Sequence, residues 1–121
     1  MNVKVLEVIR KFIDDPRLID HIFGTTSEYY FKSKGHTFSV VRRAEDPERE
    51  FGNYSFYVYP GWEGTLDDLS TQTDFDNVPF VAFHELELPA VERDLIKILF
   101  DAVKARYANI DTILSDILGG G

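Results

Sequence analysis

Two short runs, Glu28–Ser33 and His36–Val41, mirror each other about the dipeptide Lys34-Gly35. Folding the chain there through a two-residue loop sets Ser33 opposite His36, Phe31 opposite Phe38 and Tyr29 opposite Val40. All the large apolar side chains except Tyr30 and Val41 then gather on one face. The opposite face carries Glu28, Tyr30, Lys32, Thr37, Ser39 and Val41. A chain with this hairpin at its centre is committed to an antiparallel sheet that buries one side.

The flanking segments supply what covers that side. Val5, Leu6, Ile9, Phe12 and Ile13 fall on one face of a helix over Val3 to Asp14, with Lys4, Glu7, Arg10, Lys11 and Asp14 on the other. Asp15-Pro16 has the form of an N-cap followed by proline at the first helical position, and Gly24 that of a stop, which predicts a second, short helix from Pro16 to Phe23. Arg42 to Gly52 mixes charge with proline and glycine and reads as a solvated loop. Tyr54 to Tyr59 alternates as a third strand, ended by Pro60-Gly61, with Tyr54, Phe56 and Val58 toward the core and Ser55, Tyr57 and Tyr59 away from it. Thr65-Leu66-Asp67-Asp68 caps a short surface helix to about Thr71. Phe80 to Phe83 is apolar on both faces, which predicts an interior fourth strand.

From Pro89 the apolar residues Val91, Leu95, Ile98, Leu99, Ala102, Val103, Tyr107, Ile110, Ile113, Leu114 and Ile117 recur three or four apart, which predicts the longest helix, to about Leu118. Asp111 could cap a separate final helix, so one helix and two remain open. The expected architecture is α+β: a mainly antiparallel sheet of about four strands, with N-terminal helices and a long C-terminal helix packed on one face. At 121 residues the chain suits a single globular domain, 1–121, with 119–121 as a flexible tail.

Composition limits the partners. A 44% hydrophobic content provides a packed core, so the net charge of −8 belongs to a folded protein. That sign argues against a nucleic-acid or anionic-membrane surface, both of which require basic footprints. With no cysteine, disulfides, thiolate metal sites and cysteine nucleophiles drop out. No apolar run approaches a membrane span, and the expected location is cytoplasmic.

The charge is unevenly placed. Residues 1–50 carry nine basic and nine acidic side chains, and residues 89–121 carry four and five. Residues 51–88 contain no Lys or Arg, yet hold Glu63, Asp67, Asp68, Asp74, Asp76, Glu85 and Glu87. Such a stretch either steers a cationic partner or is scattered over loops and neutralised by Arg42, Arg43 or Arg93. Tyr30, Tyr57 and Tyr59 fall on the sheet face away from the core, with Trp62 just after the third strand. Tyrosine and tryptophan suit a protein-binding surface, and they suit equally a face stabilised by cross-strand pairs or covered by a loop.

Catalytic signals are sparse. His84-Glu85 lacks the second histidine of a zinc-protease helix, because Leu88 stands in its place. His84 beside Glu85 and Glu87 could serve as a general base, or as a satisfied structural histidine. Asp74-Phe75-Asp76-Asn77 has oxygen ligands at alternate positions, but Pro79 and the missing glycine and glutamate depart from the EF-hand loop. Nucleophile elbows and phosphate-binding glycine loops are absent, and no cofactor or metal is expected.

These readings lead to a small acidic non-catalytic protein-binding module of the adaptor, chaperone or toxin-inhibitor kind. It would engage a basic protein partner through an open tyrosine-rich sheet face (Tyr30, Tyr57, Tyr59, Trp62) and the acidic 63–87 segment (Asp67, Asp68, Asp74, Asp76). The order of elements is similar to that of secretion chaperones in architecture alone, and the second strand that fold has after its short helix is not visible here. The alternative is a small hydrolase-like enzyme using His84 with nearby carboxylates. A homodimer through the C-terminal helix is a third expectation.

Overall fold

A computed structural model describes residues 3–25, 27–43, 53–72 and 78–119. In chain order these form α1 (Val3–Asp14), β1 (His21–Gly24), β2 (Glu28–Ser33), β3 (His36–Arg42), β4 (Tyr54–Tyr59), α2 (Leu66–Ser70), β5 (Val81–His84) and α3 (Leu95–Gly119). The five strands lie side by side in sequence order, and every neighbouring pair is antiparallel. The class is therefore α+β, with α1 and α3 packed together over one face of the sheet.

The hairpin at the centre has the predicted register, Ser33 to His36, Phe31 to Phe38 and Tyr29 to Val40. Lys34 and Gly35 both take positive φ, 51° and 81°, as the tight turn that matches strand twist requires. Phe31, Phe38 and Phe56 then stack in a row across β2, β3 and β4, with centroids 5.5 and 5.7 Å apart, and Phe12 of α1 meets Phe31 edge-on. Ile9, Phe31, Val40, Phe56, Ile96 and Leu99 have no exposed surface. Each such side chain contributes about 1.5–3 kcal/mol by leaving water.

Two expectations require correction. The second helix is a single 3-10 turn, Pro16–Leu18, followed by β1. Asp15 caps the turn as predicted, accepting from Arg17 N–H at 3.3 Å. Ile19 N–H then closes on Pro16 O, and Asp20 N–H turns to Lys32 O at 2.8 Å, which swings the chain into the sheet. Pairing with β2 captures His21–Gly24, a run too short for periodicity to distinguish helix from strand. The sheet, expected to have about four strands, accordingly has five. The strand expected in the interior, β5, is at an edge, with its first residue Val81 and the preceding Phe80 about half exposed. Of the tail expected over 119–121, Gly119 is the last residue of α3, and Gly120 and Gly121 lie outside the described residues.

The long helix is one piece. A 3-10 turn at Ala90–Glu92 follows Pro89, and α3 then runs 25 residues, about 37 Å. No described helix is long and apolar enough to cross a membrane.

Candidate functional site

The strand registers place three rows of side chains on the sheet face away from α1 and α3. They are His21, Lys32, Thr37 and Tyr59; Phe23, Tyr30, Ser39, Tyr57 and Ala82; and Glu28, Val41, Ser55 and His84. The expected tyrosine face is thus assembled, but part of it is covered. Thr65 caps α2 by accepting from Asp68 N–H, and α2 lies over β1 and β2, burying Leu66 and Leu69 with Tyr30, Tyr59 and Val78. Tyr30 and Tyr59 are only 3% and 4% exposed. Trp62 is half-buried, lies against Gly64 and donates its indole N–H to Thr65 O at 3.1 Å.

Beneath α2 the hydroxyls share one carboxylate. Tyr30 donates to Glu28 Oε1 at 2.8 Å and Ser39 to Glu28 Oε2 at 2.7 Å, so the 2.9 Å contact between Ser39 and Tyr59 has Tyr59 as donor. Burial, with the Glu28 charge, holds both phenols well above the ordinary tyrosine range. These two tyrosines are neutral structural groups. Tyr57 is half-buried, and its hydroxyl accepts from Arg43 at 3.0 Å.

Arg43 also donates to His84 Nδ1 at 3.1 Å, and Ser55 Oγ lies 2.6 Å from the same nitrogen. A guanidinium only donates, so Nδ1 is the lone-pair nitrogen and the ring proton is on Nε2, 3.9 Å from Glu87 Oε1. Burial, then the Arg43 charge, lowers the His84 pKa, with Glu87 opposing. Serine, imidazole and carboxylate in this order resemble a nucleophile with its base. Ser55, however, is completely buried, and the base shares its lone pair with a permanent cation that weakens it. As arranged, Ser55, His84 and Arg43 form a polar tie between β4, β5 and the end of β3.

The acidic segment divides in space. Asp67 and Asp68 are exposed on α2, at the β1 side of the sheet, whereas Glu85 and Glu87 follow β5 at the opposite edge. Glu85 accepts from Asn53 N–H, and Glu87 accepts from His84 N–H at 3.0 Å. Asp74 and Asp76, and with them the considered calcium loop, lie outside the described residues. Among the described residues no three His or carboxylate side chains gather as a metal would require.

A run of uncovered apolar side chains lies elsewhere among the described residues. Ile96, Phe100, Val103, Tyr107, Ile110, Leu114 and Ile117 are spaced alternately four and three apart, as in a coiled-coil seam. The first three are buried against the sheet and α1, and Tyr107 packs on Tyr29 with centroids 5.7 Å apart. Arg106 donates to Pro16 O, tying the helix down once more. From Ala108 to Gly119 every residue is exposed, including Ile113 at 50%, Leu114 at 54%, Ile117 at 73% and Leu118 at 88%. About 18 Å of helix therefore projects beyond the domain with its seam uncovered. Its charged residues are Asp111 and Asp116 alone. The periodicity signals this stripe in the sequence, but nothing there tells which half the sheet covers.

Comparison of the chain with protein-family models, with curated proteins and with solved structures gives no match.

Proposed function

We propose that this chain is a small acidic, non-catalytic protein-binding module of the adaptor, chaperone or toxin-inhibitor kind, and that its principal contact is the projecting half of α3. The observation that carries this reading is the exposed seam of Ile110, Leu114 and Ile117, with Ile113 beside it, on a helix that continues past the domain. Contiguous exposed apolar surface on a folded domain marks an interaction site. An amphipathic helix presenting residues at i, i+3, i+4 and i+7 fits an apolar groove. With Asp111 and Asp116 as the only charges on that half, the groove would have a basic rim. Asp67 and Asp68, exposed on α2, and the net charge of −8 favour approach of such a partner.

Affinity capture from the native lysate tests this. The double variant Ile113→Asp/Ile117→Asp should keep the wild-type circular dichroism and lose at least tenfold in capture, because central apolar anchors dominate interface energies. Reversing Asp67, Asp68, Asp74 and Asp76 to lysine should weaken capture in the way added salt does. Capture indifferent to both sets overturns the reading. Light scattering separates a second copy of the chain from a foreign partner: a dimer that the double variant dissolves would assign the seam to self-association.

A further inference from the structure

At the end of the tyrosine face left open by α2 lies a cavity of about 300 Å³, lined by Glu28, Val41, Arg43, Tyr57, Tyr59 and Phe80. Pockets for small ligands begin at this size. Val41 forms the floor by register, between Glu28 of β2 and Ser55 of β4. The two charged residues sharing the cavity make no ion pair with each other. Glu28 is occupied on one side by Tyr30 and Ser39, and Arg43 on the other by Tyr57 and His84, both neutral.

Each of these groups has bonding capacity left. A carboxylate accepts about four hydrogen bonds, and Glu28 receives two from side chains of the described residues. Arg43 has no carboxylate partner among the described residues, and its Nη1 is buried with no hydrogen-bond partner there. A half-buried guanidinium with no anion among the described residues is an unusual arrangement, since buried charges are normally paired. Tyr57, having accepted from Arg43, keeps its own proton to donate.

We propose that this cavity binds a small zwitterion of the α-amino-acid type with an apolar or aromatic side chain. Its carboxylate would meet Arg43 and the Tyr57 hydroxyl, its ammonium Glu28, and its side chain Val41 and Phe80. A monoanion would leave Glu28 without a counter-charge and bring a second negative charge near it. A simple amine would leave Arg43 with no anion among the described residues. Only a ligand bearing both charges satisfies both walls.

The test titrates isotope-labelled wild-type protein with L-phenylalanine, N-acetyl-L-phenylalanine and L-phenylalaninamide, following amide signals by NMR. The free amino acid should shift the signals of Val41, Arg43 and Tyr57, and each singly charged analogue should bind at least tenfold more weakly, the loss of one charge-assisted hydrogen bond. Glu28→Gln should no longer discriminate between the free and N-acetylated forms. Arg43→Gln should likewise no longer discriminate between the free acid and the amide. Equal shifts with all three compounds, or no shift at these residues at millimolar ligand, overturn the proposal. Because the analogue series uses the unaltered chain, it decides between these outcomes even if a variant fails to fold.

Discussion

At the scale of single residues the tyrosine face separates into structure and surface. Tyr30 and Tyr59 direct their hydroxyls to Glu28 and Ser39, and Ser55 directs its own to His84, so chemistry that appeared available in the sequence is committed to holding strands together. His84 shows this most clearly. In the fold its pKa lies below the ordinary imidazole value of 6.5, because burial and Arg43 disfavour the cation. As pH falls, the unfolded chain therefore takes up this proton first. The contribution of His84 is fully present above about pH 7 and is lost as pH drops from about 6.5 toward the lower folded value. Urea unfolding at about pH 7.5 and about pH 5.5 should show the wild type losing more stability on acidification than His84→Gln. Equal losses would mean that His84 is not held neutral. In the sequence, Glu28 and Arg43, the residues that define the open cavity, look like a strand-face acid and a loop cation. Neither belongs to a motif, and only the register brings them to one wall of the sheet.

At the scale of elements, what could be read in the sequence follows from how local the determining forces are. The Lys34-Gly35 hairpin, the two faces of Tyr54–Tyr59 and the Thr65 cap depend on neighbours in the chain, and all three are as predicted. The segment Pro16–Gly24 depended on β2, with which it pairs as an edge strand, and its local cap and proline pointed to helix. Val81–His84 lies at the edge although its composition suits an interior position. The long helix shows the same limit, since its seven-residue repeat is uniform while its burial is not. Two substitutions on α3 should expose that difference. Leu99→Ala, within the covered half, should cost about 2–5 kcal/mol, and Ile113→Ala, on the projecting half, less than about 0.5 kcal/mol in chemical denaturation. Similar costs at both sites would show that the end of α3 packs against the domain.

At the scale of the whole molecule, the net charge of −8 is dispersed over separate surfaces. Of the stretch that forms one acidic block in the sequence, Asp67 and Asp68 lie on α2 at the β1 side, and Glu85 and Glu87 follow the edge strand β5, where His84 bonds Arg43. Among the described residues the sheet is covered by α1 and α3 on one face and, over β1 and β2, by α2 on the other. Among the described residues the longest run of exposed apolar side chains lies at the end of α3, where the charged residues are aspartates. Hydrogen exchange resolved along the chain, with and without the captured partner, tests this arrangement most directly. In the free protein, amides of residues 96–103 should exchange slowly and those of residues 109–118 rapidly, because local stability follows tertiary packing. Adding the partner should slow residues 109–118 most. Protection in the free protein throughout α3, or a partner-induced change confined to the strands with residues 109–118 unaltered, would contradict the assignment of the interface to the projecting helix.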